Sequence, residues 1–311
     1  MDVILEFIAR ALIFVIQALP LAVVARLGRW GGALVYLLDG RHRRMALKNL
    51  NRCFGQELPR REIHALAAEN FRRIGENFSC AVRTAKITPA ELERVLSVSG
   101  AERLGLDNPS GPQCRVLAIG HFGNFELYAH ANHFVPGVQF ATTYRSLRQP
   151  SLDRILQGLR AQSGCLYFER RTEASALREA MNQKRMLVEF LADQHAGDKG
   201  LRLPFLGHAC STSAAPAVFA LRYHCPLFPA VCYRIALGRW RIEVGEEIPT
   251  REDGRPRPVE EIALDVNRAF ETAVRRDPAN WFWVHNRWKW AKPQASTGAA
   301  LPESQAAPRS P

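Results

Sequence analysis

Short apolar segments alternate with amphipathic segments through most of the chain, and this alternation constrains the fold more than any other feature. The apolar segments have the composition and period of β-strands, and six are predicted, at 96–99, 115–120, 138–144, 186–192, 227–233 and 239–244. The intervening segments have the three- and four-residue spacing of helices, at 126–134, 152–162, 174–182, 214–223 and 259–274. Because strands alternating with helices form βα units, we predict an α/β fold with a mostly parallel sheet flanked by helices.

A long helical region precedes the first strand, and a polar tail follows the last helix. Apolar residues recur every three or four positions over 49–86, which predicts an amphipathic helical lead-in. A chain of 311 residues suits one large domain with a helical extension. We therefore divide it into an N-terminal helical segment (1–40), a domain (41–292) and a tail (293–311). The tail is rich in Ala, Pro, Ser and Gln and is predicted to be disordered.

The N-terminal segment combines an apolar stretch with a basic one. Residues 3–25 are strongly apolar, but the uncharged part, 11–25, has 15 residues, fewer than the roughly 20 that a spanning helix needs. Residues 41–61 carry a net charge of +6, half of the chain's total of +12. Each Lys or Arg near an anionic membrane surface contributes about 1 kcal/mol to binding. The pattern therefore favours an N-terminal apolar membrane-associating helix.

Other interpretations of this segment are weighed against membrane attachment. A cleaved signal peptide is disfavoured because the region before the uncharged part, 1–10, carries acids as well as one Arg, and no small-residue cleavage site follows cleanly. A buried first helix of a soluble domain stays open, since stretches of this length are often core helices. Nucleic-acid binding is not expected, because no reader motif accompanies the basic residues.

The seven cysteines form no CxxC pair, so we expect reduced thiols in a cytosolic core.

The sequence VLAIGHFGNFE contains the most informative candidate for chemistry. A buried strand ends just before His121, Gly123 permits a tight turn, and a helix begins near Asn124. Ligands of open α/β sheets bind at the carboxyl ends of the strands. Because His121 precedes the helix and Glu126 lies in its first turn, we predict that the carboxylate holds the imidazole. A histidine oriented in this way can act as a general base.

Three further residues are predicted at the same edge of the sheet. Arg145 follows a neighbouring strand and could stabilise negative charge that develops at this edge, although a surface ion pair explains it equally well. Asp193 and Gln194 follow the predicted strand 186–192, where they either line the site or cap a loop.

Two other kinds of enzyme are considered and set aside. A metal hydrolase is suggested by His130 and His133, which are three apart, and by His195 between two aspartates, but the sequence contains no HExxH. A serine nucleophile would need GxSxG, which is also absent from the sequence. We therefore predict no metal and no cofactor.

His121 and Glu126 match the HxxxxD/E motif of the glycerolipid acyltransferases, and GHFGNFE resembles the form found in bacterial lipid A late acyltransferases, the lauroyl and myristoyl transferases. The resemblance covers nearly the whole chain. Further matching stretches lie at 43–54, 144–154, 193–194, 204–207 and 281–289. The resemblance implies a glycerolipid-acyltransferase-like fold with a mixed, mostly parallel sheet over 41–292.

The resemblance also implies a reaction and its partners. A fatty acyl group would move from acyl carrier protein, or coenzyme A, to a hydroxyl of a lipid A-type glycolipid at the cytoplasmic face of the bacterial inner membrane. His121 would be the base and Glu126 its orienting partner. The substrate-binding candidates are Arg145, Arg148, Asn124, Asp193 and Gln194. The partners would be the carrier protein, the anionic membrane surface and the glycolipid acceptor, with no nucleic acid.

Two alternatives stay open at this point. A related acyltransferase would use a lysophospholipid or a phosphoinositol glycolipid, because acceptor choice depends on the shape of a groove. A non-enzymatic membrane-binding protein would keep the apolar and basic N-terminal features but would have no need of His121 and Glu126. The aromatic residues near the end of the chain are predicted to divide, with Trp281 in the core and Trp288 and Trp290 at a membrane interface.

Overall fold

The structure, a computed structural model, describes residues 2–106, 114–183 and 185–289. In this part of the chain five α-helices precede the first strand, namely α1 (Asp2–Ala18), α2 (Leu21–Leu38), α3 (Gly40–Phe54), α4 (Arg60–Thr84) and α5 (Pro89–Val95). Local sequence explains their boundaries. Pro20 separates α1 from α2, because proline lacks the N–H that would continue a helix. Asp39 caps α3 by accepting the N–H of His42, and Thr88 and Glu91 form a capping box on α5.

Seven strands form one mixed sheet, and two short hairpins lie outside it. The strands are β1 (Leu96–Ser99), β2 (Cys114–Ile119), β3 (Gln139–Tyr144), β4 (Leu166–Glu169), β5 (Met186–Leu191), β6 (Leu201–Phe205), β7 (His208–Thr212), β8 (Leu227–Ala236), β9 (Arg239–Val244), β10 (Arg251–Glu252) and β11 (Arg255–Pro256). The order across the sheet is β1-β9-β8-β2-β5-β3-β4. Only the β8–β9 pair of this sheet is antiparallel among the described strands. The predicted mixed, mostly parallel sheet is confirmed.

Helices cover both faces of this sheet. Four α-helices follow β3, namely α6 (Pro150–Arg160), α7 (Ala174–Gln183), α8 (Ala215–Arg222) and α9 (Val259–Arg276), and a 3₁₀ helix, Phe125–Phe134, follows β2. Central strand β2 is buried along its whole length. Its side chains alternate between two cores, with Val116 and Ala118 in one and Leu117 and Ile119 in the other. Two covered faces explain why this strand is a continuous apolar run.

Several elements of the fold were not predicted, among them strand β4 and the β6–β7 hairpin. Strand β4 has only four residues and is half-buried at the edge of the sheet, so its alternation is weak. Hairpin β6–β7 turns at Leu206 and Gly207, both with positive φ, 48° and 75°. Such turns usually contain Asn-Gly or Asp-Gly, and leucine in this conformation gives no recognisable turn signal. Trp290 and the predicted disordered tail, 293–311, lie outside the described residues.

The N-terminal apolar stretch forms two helices instead of the expected single one. Helix α2 lies close against α4, where a Cβ on Gly32 would lie 2.1 Å from the Phe71 carbonyl oxygen. Val24 and Ala25 on this inner face of α2 are buried. Among the described residues, α2 is the one helix long and apolar enough to cross a membrane by length and composition. The outer faces of α1 and α2 nevertheless carry large exposed apolar side chains, including Phe7, Phe14 and Trp30.

Candidate active site

The candidate site lies at the carboxyl ends of two neighbouring parallel strands. His121 follows β2 by two residues, and Asp193 follows β5 by two residues. The register of the β2–β5 pair places Ile119 opposite Leu191. The two polar residues therefore leave the sheet at the same level, although 72 positions separate them in the sequence.

Asp193 holds His121 by two hydrogen bonds. The His121 Nδ1 lies 2.8 Å from the Asp193 Oδ1, and the His121 backbone N–H donates to Oδ2 at 2.9 Å. The Trp281 indole N–H donates to the same Oδ2 at 2.8 Å. Because an ionised carboxylate only accepts hydrogen bonds, Nδ1 carries a proton, and the neutral form of the ring has its lone pair on Nε2. This is the arrangement of a general base with an orienting acid.

Asp193 is ionised despite being completely buried. Burial by itself opposes the charged form, but the His121 ring and the hydrogen bonds from His121 and Trp281 outweigh it and lower the pKa of Asp193 to about 2. The rings of Phe125 and Phe282 lie beside the imidazole, with centroids 4.9 Å and 6.0 Å from it. The His121 imidazole is therefore held by a buried negative charge on one side and flanked by aromatic rings.

The predicted contact between His121 and Glu126 is wrong. Glu126 instead forms a bidentate ion pair with Arg160 of α6, at 2.6 Å and 3.1 Å. The chain turns at Gly123, where φ is 52°, and continues into the 3₁₀ helix that carries Glu126 towards α6. Burial lowers the pKa of Arg160, but the Glu126 carboxylate outweighs it and the pKa is raised. Glu126 still lines the same cavity as His121, and its catalytic role stays a prediction.

A cavity of about 670 Å³ opens beside His121. One wall comes from α4, with Phe78, Ala81 and Val82, and another comes from α6, with Leu156 and Leu159. Side chains of the sheet and of the 3₁₀ helix complete it, among them Ile119, Leu191, Tyr128, Ala129 and Tyr167. The lining also includes many polar and charged side chains, among them Arg145, Arg160 and Glu189, so apolar and polar walls occur together. A concave site that combines apolar walls with convergent polar groups is a candidate site for a small molecule.

The predicted substrate-binding residues divide into two groups. Arg145 and Gln194 line the cavity, as expected for residues at this edge of the sheet. Asp193 contacts His121 instead of the cavity. Arg148 is exposed and Asn124 is buried, and within the described residues neither belongs to the cavity lining. The side chain of Asn124 is packed in the core, and Arg148 lies in the loop before α6. Their assignment to substrate binding stays a prediction.

The segment 281–289 supplies side chains of the candidate site that were not predicted as site residues. Its Trp281 supports Asp193, and its His285 lines the cavity. The backbone N–H of His195 donates to the His285 Nε2 at 3.1 Å, and burial lowers the pKa of His285 to about 4, so this ring is neutral near pH 7. Arg287 is completely buried and donates to the carbonyl of Gln194. The high content of His, Arg and Trp in this segment is the sequence signal that could have indicated its place at the candidate site.

The expected membrane interface near the end of the chain is not found at Trp288. This side chain is buried and its N–H points at the carbonyls of Phe205 and His208, at 3.4 Å and 3.3 Å. Trp281 is buried, as predicted.

Residues that suggested a metal site are placed differently in the structure. His133 lies 2.9 Å from the Glu93 carboxylate. Over 2–106, 114–183 and 185–289, no cluster of three His, Cys, Asp or Glu side chains suitable for a metal ion is present.

Known proteins resemble this chain over most of its length. A sequence model of the family described as bacterial lipid A biosynthesis acyltransferase matches residues 2–290. The lipid A biosynthesis palmitoleoyltransferase of Escherichia coli (strain K12) is 25% identical over 280 residues, which cover 87% of this chain and 86% of the relative. A lipid A biosynthesis acyltransferase of Shigella flexneri has the same identity and coverage. Because the family match includes the helical lead-in, the sheet and every residue of the site, the chain belongs to the bacterial lipid A biosynthesis acyltransferase family.

Proposed function

We propose that this acyltransferase moves a fatty acyl group from the thioester of acyl carrier protein to a hydroxyl of a lipid A-type glycolipid. The observation that carries the proposal is the His121–Asp193 pair beside a cavity of about 670 Å³ that is partly lined by apolar side chains. An acyl chain requires apolar walls, and its reacting carbonyl requires a base at the end of those walls. The glycolipid acceptor follows from the family.

The His121–Asp193 pair suits direct transfer without a covalent enzyme intermediate. The Nε2 of His121 removes the proton of the acceptor hydroxyl while that oxygen attacks the thioester carbonyl carbon. The new C–O bond forms, the C–S bond breaks, and the imidazolium returns its proton to the departing thiolate. Asp193 stabilises the imidazolium between these steps. Arg145, at the cavity, is the side chain that we propose to stabilise the negative charge on the thioester oxygen.

We also propose that the enzyme lies on the cytoplasmic face of the inner membrane through α1 and α2. Phe14 and Trp30 are 74% and 72% exposed, which is unusual for large apolar side chains. The inner face of α2 packs on α4, a helix with many charged residues, so we favour a position in the membrane surface over a spanning one. Glu6 of α1 lies 3.5 Å from Arg154 of α6, which connects the proposed membrane surface to a wall of the cavity.

The acceptor is tested by lipid analysis. Mass spectrometry of lipid A from cells that lack and then regain the gene should show one acyl chain lost and restored. Purified enzyme should acylate a lipid A precursor and leave a lysophospholipid and a phosphoinositol glycolipid unmodified. Acylation of either of those lipids in preference to the lipid A precursor would contradict the proposed acceptor.

Aspartate in place of both Phe7 and Phe14 should weaken binding to vesicles that contain phosphatidylglycerol. Two aromatic side chains each contribute about 1.5–3 kcal/mol when buried in an apolar phase, so we expect at least about a tenfold loss in cosedimentation. The matched control replaces Val218 and Ile235, which are also exposed, by aspartate. Equal binding by the two double variants would rule out α1 as the attachment surface.

Glutamate in place of both Arg170 and Arg171 should raise the KM for acyl carrier protein about tenfold at low salt and change kcat little. Both side chains are exposed, and Arg170 lies at the cavity. Carrier proteins are acidic, so the effect should shrink as salt screens the attraction. The control replaces the exposed Arg222 and Arg255 by glutamate, with the same change in net charge. An unchanged KM, together with faster turnover of acyl-coenzyme A, would exclude the carrier protein as donor.

A further inference from the structure

The cavity contains a buried carboxyl group that acyl transfer at His121 does not use. Glu189 lies on β5, is 1% exposed and lines the cavity. Its Oε1 atom has no hydrogen-bond partner among the described residues. Buried polar groups are almost always hydrogen-bonded, so an unpartnered carboxyl oxygen requires an explanation.

Glu189 lies well inside the cavity relative to the base. It precedes Asp193 by four residues on an extended strand and its linker, a rise of about 13 Å at about 3.3 Å per residue. The strand register places it opposite Leu117 on one side and Thr142 on the other. A chain whose carbonyl reacts at His121 therefore reaches Glu189 with its inner part.

The polar neighbours of Glu189 are already committed elsewhere. The Thr142 hydroxyl donates to the backbone carbonyl of Glu189 at 3.0 Å, so it does not serve the carboxyl. The Tyr128 hydroxyl donates to the carbonyl of Ala230 and accepts the N–H of Cys232. Both hydroxyls are thus hydrogen-bonded to the protein backbone, and the Glu189 carboxyl faces the cavity.

The carboxyl is protonated when the enzyme works near neutral pH. Burial raises the pKa of Glu189 to about 8. A neutral carboxyl can both donate and accept, which suits it to a hydroxyl partner. Leu187 and Leu191 on the same strand face show that an apolar side chain would be the ordinary choice at this depth.

We propose that Glu189 selects the acyl chain, an inference that rests on the proposed acyl-transfer function. The residue favours an acyl chain that carries a hydroxyl group near its inner end over an unsubstituted chain that reaches the same depth. The hydroxyl of the acyl chain forms a hydrogen bond with the Glu189 carboxyl. Unsubstituted hydrocarbon displaces water from the carboxyl and leaves it without a partner, which is the larger cost in such sites. Sites built to bond a hydroxyl discriminate strongly against analogues that lack it.

Donor competition with the full-length enzyme tests the proposal. The donors are myristoyl acyl carrier protein and a series in which a hydroxyl occupies successive carbons of the inner half of the same chain. We expect the best hydroxylated donor to exceed the unsubstituted one in kcat/KM by about tenfold or more. Glu189→Leu should reduce this ratio by about the same factor, and Glu189→Gln, which keeps hydrogen-bonding groups, should preserve most of it.

Two results would overturn the proposal. The first is a wild-type enzyme that favours no hydroxylated donor, a result that needs no variant to fold. The second is a ratio that Glu189→Leu leaves unchanged. Failure of the proposed function is a separate outcome, in which no thioester donor is used at all. In that case the proposal is tested by the rise in melting temperature that free myristic acid and its hydroxylated counterparts cause. Equal rises in the wild type and in Glu189→Leu would contradict selection by Glu189.

Discussion

Asparagine in place of Asp193 is expected to lower kcat by about 10³- to 10⁴-fold, the size of effect seen when the acid of a comparable histidine pair is neutralised. The Asp193 carboxylate accepts from Nδ1 of His121, which keeps the proton on that nitrogen. An amide N–H facing Nδ1 would reverse the tautomer and place the proton on Nε2. The ring would then have no lone pair for the acceptor hydroxyl, and the imidazolium would lose its compensating charge.

The Asp193 experiment requires a measure of structural damage, because Asp193 also accepts from the backbone of His121 and from Trp281. The melting temperature and the donor KM report on the fold and the cavity, whereas the loss of the base appears in kcat. Asp277→Asn is the matched control, since it removes the charge from a partly buried 2.7 Å ion pair with Arg73, and neither residue lines the cavity of about 670 Å³. We expect the control to stay within about twofold of wild type in kcat. If the kcat of Asp193→Asn stays within threefold of wild type, Asp193 does not orient a catalytic base.

Alanine in place of His121 should lower kcat by about 100-fold or more, since general bases contribute about 10²- to 10⁴-fold. The side chain is partly accessible from the cavity, and its loss leaves the Asp193–Trp281 hydrogen bond in place. Folding and vesicle binding are therefore expected to be unchanged. Single-turnover transfer from acyl carrier protein to a lipid A precursor is the measurement.

His133→Ala provides the control for the loss of an imidazole. His133 pairs with Glu93 and lies at the far end of the 3₁₀ helix from Glu126. We expect near-normal transfer by this variant. The double variant with His121→Ala and Asp193→Asn should be no slower than the slower single variant, because the two residues act as one unit. Additive losses would show that Asp193 acts independently of the base.

Much of the fold follows from local patterns along the chain. The apolar runs at 115–120 and 186–192 are strands, and the periodic segments 152–162 and 259–274 are helices, within a few residues. The position of His121 was also predictable, because a strand that ends before a glycine-containing turn places the next polar residue at the sheet edge. Residue type and spacing are sufficient wherever the determining interactions lie within a few residues.

The partner of His121 depends on the topology of the sheet. Glu126 is close in sequence, but Asp193 makes the contact because β5 lies beside β2 in the sheet order. Which strands become neighbours is set by packing across the whole domain, and no local pattern around His121 contains that information. Both carboxylates were predicted near the edge, and the local spacing favoured Glu126, whereas the structure places Asp193 on His121.

Burial of polar and aromatic residues shows the same limit. Arg287 and Trp288 have the composition of a membrane interface, yet both are buried where the final segment packs against the β6–β7 hairpin. Glu189 is a charged residue type inside an apolar strand, and only the cavity beside it explains its position. The sequence by itself determined most of the strands and helices of the main sheet and the position of His121, since these depend on neighbours along the chain. The tertiary structure decided the orienting acid, the cavity and its buried carboxyl, because those depend on elements that meet only after folding.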